Sequence, residues 1–157
     1  MPVTTKSRAA AAACAVALCA GCVGPAGADR HSDEVLGTAL DGAASALAIG
    51  TLTVDLLADG RTFRTVADTT LQDAIEDASS AQGTLARDQP ATPQMSKARA
   101  AGVEAVASAV TALADAREWV NGVDGTDVAD VRSALGVATQ RVDDASDAVD
   151  AAAGSGS

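Results

Sequence analysis

Few residues of this chain have the type and spacing for chemistry. The densest cluster is acidic: Asp143, Asp144, Asp147 and Asp150. On a helix, Asp143, Asp147 and Asp150 share one face at spacings of four and three. Hard cations prefer such oxygen ligands, which makes these three carboxylates the best candidate metal ligands. The same face borders an apolar seam of Val142, Ala145 and Val149 on its solvent side, and one helix cannot wrap a calcium ion. The expectation is therefore a solvated acidic face that binds cations weakly at most. His31, the only histidine, falls outside every periodic segment. Triads, Cys-His pairs and ordinary zinc sites therefore lack their parts beyond residue 31. There is no Glu-x-x-His pair of the carboxylate metal bundles, no P-loop and no dinucleotide-binding glycine pattern. Two aromatic positions could serve recognition. Trp119 ends an apolar stripe beside Val120, either as a cap over the end of a core or as an anchor for a partner. Phe63 lies between Arg61 and Arg64, two cations expected to pair with the acidic face of a neighbouring helix or, as the alternative, to contact a partner. The chain is expected to be no enzyme and to need no cofactor.

The cysteines belong to a different kind of chemistry. Residues 1 to 8 (MPVTTKSR) carry two positive charges and no negative one, and residues 9 to 20 (AAAAACAVALCA) are apolar throughout. A basic start followed by an apolar run of this length has the layout of a secretory signal peptide. The run is shorter than the roughly 20 residues a membrane-spanning helix needs. It ends Leu18-Cys19-Ala20-Gly21-Cys22, which resembles the lipobox of bacterial lipoproteins. Ala20 and Gly21 match the small residues of that motif and Cys22 matches the lipid acceptor. The leucine usual three places before the acceptor stands one place early, at Leu18, with Cys19 in its position. The resemblance covers residues 1–22 only. It implies a lipid on Cys22, cleavage just before it, and attachment to the extracytoplasmic face of the cell membrane. A second site, Ala26-Gly27-Ala28, has the small-x-small form of ordinary secretory cleavage and would release a free protein starting at Asp29. Under either cut Cys14 and Cys19 are lost and Cys22 is acylated or removed, so no thiol is left for a disulfide or a metal.

Composition narrows the domain behind the signal. The chain is 48% hydrophobic, enough for a core, yet it has one Phe, one Trp and no Tyr. Alanine dominates, and alanine combines the best helix propensity with little burial per residue. Such a core suits long helices packed closely. The scarcity of aromatics argues against base-stacking platforms for nucleic acid. Two of the 11 basic residues, Lys6 and Arg8, lie before Cys22 and no acid does; this leaves 9 basic against 21 acidic residues, a net charge of about −12. A domain of that charge is repelled by nucleic acid and by anionic lipid headgroups, and it stays dispersed in solution.

Hydrophobic periodicity predicts four helices. In the first, with Ser32 as N-cap, Leu36, Leu40, Ala43, Leu47, Gly50, Val54 and Leu57 alternate spacings of four and three, and Asp59-Gly60 ends the segment. The second places Ala67, Leu71, Ala74, Ala78, Ala81 and Leu85 on one face. Its threonine-rich start admits a competing reading in which residues 51–66 form a hairpin turning at Asp59-Gly60. Thr92-Pro93 opens the third as cap and first-position proline, with a stripe of Val103, Val106, Val110, Leu113 and Val120 and a stop at Asn121-Gly122. Asp124-Gly125 makes the next turn, and Thr126 or Asp127 caps the fourth, whose stripe of Val128, Val131, Leu135, Ala138, Val142, Ala145, Val149 and Ala152 is unbroken.

The fold class expected is all-α, an antiparallel up-down-up-down four-helix bundle behind a cleaved signal peptide. Residues 1–21 are the signal, 22–31 a flexible tether, 32–153 the bundle and 154–157 a disordered tail. The function expected is a membrane-anchored protein-interaction module, with the membrane as one partner through Cys22, an envelope protein as a second, and no nucleic acid. The alternatives are a bundle that carries a small apolar ligand and a freely secreted helical protein.

Overall fold

A computed structural model describes residues 25–155 apart from Asp124, with side chains from His31 onward. Among the described residues there are four α-helices and no strand. They are α1 (Pro25–Ala58), α2 (Arg64–Arg87), α3 (Pro93–Asn121) and α4 (Val128–Gly154). The hairpin reading of residues 51–66 is excluded: α1 continues helical to Ala58, and α2 begins at Arg64 after a short turn. The threonines of α2 are accommodated locally, Thr69 donating its hydroxyl to the Thr65 carbonyl at 3.0 Å. The register of the buried stripe outweighs their weak helix propensity.

Four helix ends have a local physical cause. Gly60 turns the chain out of α1 at φ +67°, a conformation that L side chains adopt at a cost. The Thr92 hydroxyl accepts the Met95 amide at 3.3 Å, and Pro93 follows at the first helical position. Gly122 closes α3 in the left-handed region at φ 74°. Of the two capping residues expected for α4, Asp127 is the one used, its carboxylate accepting the Ala129 amide at 2.9 Å.

Two boundaries differ from the sequence reading. Residues 25–31 were expected in a tether, but α1 starts at Pro25 and includes them. Proline at the first helical position loses no hydrogen bond, and the lone Gly27 costs only about 1 kcal/mol against alanine. Ser32 is therefore no N-cap. It lies inside α1, 3% exposed, and donates its hydroxyl to Asp88 just past α2 at 3.3 Å. At the other end α4 includes Gly154, the first residue of the expected tail; Gly156 and Ser157 lie outside the described residues, as does Asp124.

The core is built from the expected stripes. All six positions named for α2 are buried, and in α4 Val131, Leu135, Ala138, Val142, Ala145 and Val149 are buried, with Val128 and Ala152 half-buried. In α1, Leu36, Leu40, Ala43, Leu47 and Val54 are buried. The stripe of α3 is shifted. Val106, Leu113 and Val120 are buried, but Val103 and Val110 are only half-buried, and Gly102, Ala105, Ala109, Ala112 and Ala116 take the interior. The cause is the arrangement of the helices. α1 and α3 each touch all three other helices, whereas α2 and α4 do not touch each other among the described residues. The cross-section is thus a rhombus with α1–α3 as its short diagonal. A helix enclosed by three neighbours buries a wider arc: α3 hides ten residues, α2 and α4 six each.

The short diagonal depends on two glycines. A methyl group at Gly102 of α3 would stand 3.7 Å from Leu40 of α1, and one at Gly50 of α1 would collide with Leu113 of α3. Each diagonal helix therefore offers a glycine to a leucine of the other. Residue numbers rise together across α1 and α3 and run oppositely between α1 and α2, where Ser32 meets Asp88 and Gly50 approaches Leu71.

Candidate functional site

Several polar residues outside the core tie helices together. Asp68 of α2 accepts from the Arg117 guanidinium of α3 at 2.7 Å and from the Asn121 amide at 2.8 Å, and Arg117 also donates to Gln72. Hydrogen bonding by Arg117, then by Asn121, holds the Asp68 carboxyl below its ordinary range, and the bond to Asp68 raises Arg117 in turn. This cluster is solvent-facing and works as a brace between α2 and α3. Arg132 of α4 pairs with Asp55 of α1 at 2.7 Å in the same manner. Arg99 donates to the Leu85 carbonyl at 3.0 Å, satisfying an acceptor at the end of α2 that the helix leaves free. None of these pairings was visible from sequence spacing, because partners 14 to 77 positions apart meet only once the helices are in register.

The residues singled out from sequence do not converge. Asp143, Asp147 and Asp150 are exposed along α4, and Asp144 accepts a hydrogen bond from Gln140. Among the described residues no group of three or more such side chains is placed to hold a metal ion. His31 is exposed on α1 rather than in a tether. Trp119 is half-buried and packs against the core, neither covered over nor free. Arg64 does not pair with an acidic face; it donates to the Val120 carbonyl at 2.7 Å, at the C-terminal end of α3, where the helix dipole favours a cation. Cys22, the expected lipid acceptor, lies outside the described residues.

No family model, curated protein or solved structure matches this chain.

The surface has two kinds of groove. Those along α3–α4 are shallow and open, lined by alanines with Glu104, Arg141 and Asp144 at one and Lys97 at another. The groove between α1 and α2 is different. Ile49, Leu52, Leu56, Thr62, Val66 and Thr70 line it, around a volume of about 210 Å³. Large apolar side chains exposed to solvent concentrate there: Ile49 at 43%, Leu52 at 59%, Val66 at 52%, and beside them Phe63 at 78%. The sequence reading passed over this face. Its signal was a short second stripe on α1, Ile49, Leu52 and Leu56 at spacings of three and four, running beside the one that fills the core.

By length and composition, His31–Ala58 is also apolar enough to cross a membrane. That apolarity has two sources, the core stripe from Leu36 to Val54 and the second stripe lining the groove.

Proposed function

We propose that this protein is a non-enzymatic lipoprotein, anchored through Cys22 at the extracytoplasmic face of a bacterial membrane, whose helical bundle binds another envelope protein. The observation that carries this reading is the run Leu18-Cys19-Ala20-Gly21-Cys22 closing a basic-then-apolar segment. Diacylglyceryl modification of that cysteine places two acyl chains in the bilayer. Each buried methylene is worth about 0.8 kcal/mol, and two chains hold where one detaches. The bundle follows closely: α1 begins at Pro25, three residues past Cys22, and runs 34 residues, roughly 50 Å. With α1 leaving the membrane upright, the α1–α2 turn is carried far from the lipid surface, which suits recognition of a neighbour in the envelope. The braces that join the helices are structural and supply no nucleophile or acid–base pair, in keeping with a binding role.

The anchor is tested by replacing Cys22 with Ser in the native host. The expected result is transfer of the protein from the membrane fraction to the medium and loss of labelling by radioactive fatty acid. A mature N-terminus at Asp29 in the unmutated protein overturns the anchor and makes the protein freely secreted. Both cuts leave the buried side chains of Ser32 and Leu36 in place, so the bundle is compatible with either.

A further inference from the structure

The binding role proposed above leaves the surface and the partner unspecified. We propose that the α1–α2 groove is the docking surface, and that its occupant is a basic amphipathic helix of a partner protein. This inference rests on the interaction-module reading and gives it a surface and a chemistry.

The groove is the one place among the described residues where large exposed apolar side chains come together. Two further ones, Val123 on the turn after α3 and Val137 on α4, do not line it. Ile49, Leu52 and Leu56 project from α1 at spacings of three and four, and Val66 and Thr70 face them from α2. Two parallel rims with an apolar floor receive the edge of a third helix by ridge-into-groove packing. Phe63 follows Thr62 of the lining and precedes Val66 by three residues; it is fully outside the core, directly before α2, where its carbonyl accepts the Ala67 amide at 3.0 Å. An aromatic ring so exposed gains substantially from being covered, and aromatic residues dominate the energetics of interfaces.

Charge selects the occupant. Beyond Thr70 the same edge of α2 continues with Asp73 and Asp77, at spacings of three and four, and both are exposed. Asp41, eight residues before Ile49 on α1, and Asp59, in the turn just past α1, are also exposed. Of the nearby cations, Arg64 is held by the Val120 carbonyl, and Arg61 is exposed at the turn. The rim is therefore mostly acidic on a protein of net charge −10. A second copy would bring the same carboxylates against these, and an anionic lipid surface would be repelled. A helix with leucine-like residues on one edge and Lys or Arg beside them satisfies both the floor and the rim. From Val66 to Asp77 the groove edge measures roughly 17 Å, about three turns of such a helix.

The test uses the full chain carrying Cys22→Ser, which keeps every groove residue, needs no detergent, and makes the result independent of acylation. The probe is a fluorescein-labelled 14-residue peptide with Leu at i, i+3, i+4, i+7 and i+11 and Lys at the outer positions, read by anisotropy. Two comparison peptides are the same composition scrambled out of helical phase and the phased peptide with Glu for Lys. The expected result is saturable binding of the phased Lys peptide, weakened at least tenfold by Leu52→Glu and by Phe63→Ser. Asp73→Asn with Asp77→Asn should weaken it about threefold and flatten its salt dependence, while Val137→Glu leaves it unchanged. All of these changes are at exposed positions, and circular dichroism confirms that each variant remains helical. Equal binding to the Leu52→Glu and Val137→Glu proteins, equal binding of the scrambled or Glu peptide, or no binding at millimolar concentration overturns the proposal. So does concentration-dependent dimerisation abolished by Leu52→Glu, which would make a second copy the occupant. If Cys22 proves unacylated while the peptide results hold, the groove stands and the anchor falls.

Discussion

Alanine at Gly102 should stabilise the protein, and alanine at Gly50 should not. Both glycines are buried within helices on the α1–α3 diagonal, so both substitutions gain the same helix propensity, about 1 kcal/mol. Both also bury one methyl group, worth about 0.8 kcal/mol. At Gly102 the new methyl meets Leu85 at 3.6 Å and Leu40 at 3.7 Å, ordinary van der Waals contact, so Gly102→Ala should stabilise by roughly 1–2 kcal/mol. At Gly50 it would overlap a methyl of Leu113, a side chain with no exposed surface and therefore little freedom to retreat. Overpacking of that kind costs about 1–3 kcal/mol, and with Leu113 wholly enclosed the upper part of that range applies, which cancels or exceeds the gains. Gly50→Ala should thus be neutral to destabilising, and the two variants should differ by about 1–3 kcal/mol. Urea denaturation followed by circular dichroism measures the difference, provided the m-values agree. If Gly50→Ala is as stable as Gly102→Ala, the α1–α3 contact is looser than described and the glycines do not set it.

Leu135 has no exposed surface, whereas Asp144 is exposed on the opposite side of α4. Leu135→Ala should cost about 2–5 kcal/mol and Asp144→Ala no more than about 0.5 kcal/mol; equal shifts in the denaturation midpoint would refute the register of α4. Asp68 titrates below its ordinary value of 3.8, so its bond to Arg117 stabilises the fold at neutral pH and is lost as pH falls through that lowered value. Asp68→Asn should therefore lower the melting temperature at pH 7, and the deficit should shrink below about pH 4; a deficit constant from pH 7 to pH 2 would remove the charge from the explanation.

How much was legible in the sequence depended on how many neighbours each helix has. α2 and α4 pack on two sides only, so a single stripe describes each, and the periodicity located it. α3 packs on three sides. There the valines drew attention while Gly102, Ala109 and Ala116 took the centre, because close approach requires small residues and hydropathy weighs large ones. Pro25 and Gly27 looked like breakers, yet proline at a helix start costs nothing, so α1 began earlier than expected. Local caps at Thr92, Gly122 and Asp127 could be identified because their partners lie within a few residues. The bond from Arg64 to the Val120 carbonyl could not, since it depends on how α2 and α3 align. The apolar floor of the α1–α2 groove was present as a pattern but masked by the stronger stripe beside it.

The rhombic cross-section also orders how the domain comes apart. An outer helix, α2 or α4, leaves by breaking two interfaces, while α1 or α3 must break three. Partial opening should therefore begin with the outer pair, α2 and α4. Native proteins open in such cooperative units, whose free energies range from near zero up to that of global unfolding. Here the groove between α1 and α2 is shared by a helix of each kind, one held by three interfaces and one by two. A ligand seated in it would clamp an early-leaving helix to a late-leaving one, so its binding energy would appear as slower opening of α2 and leave α4 as free to detach as before.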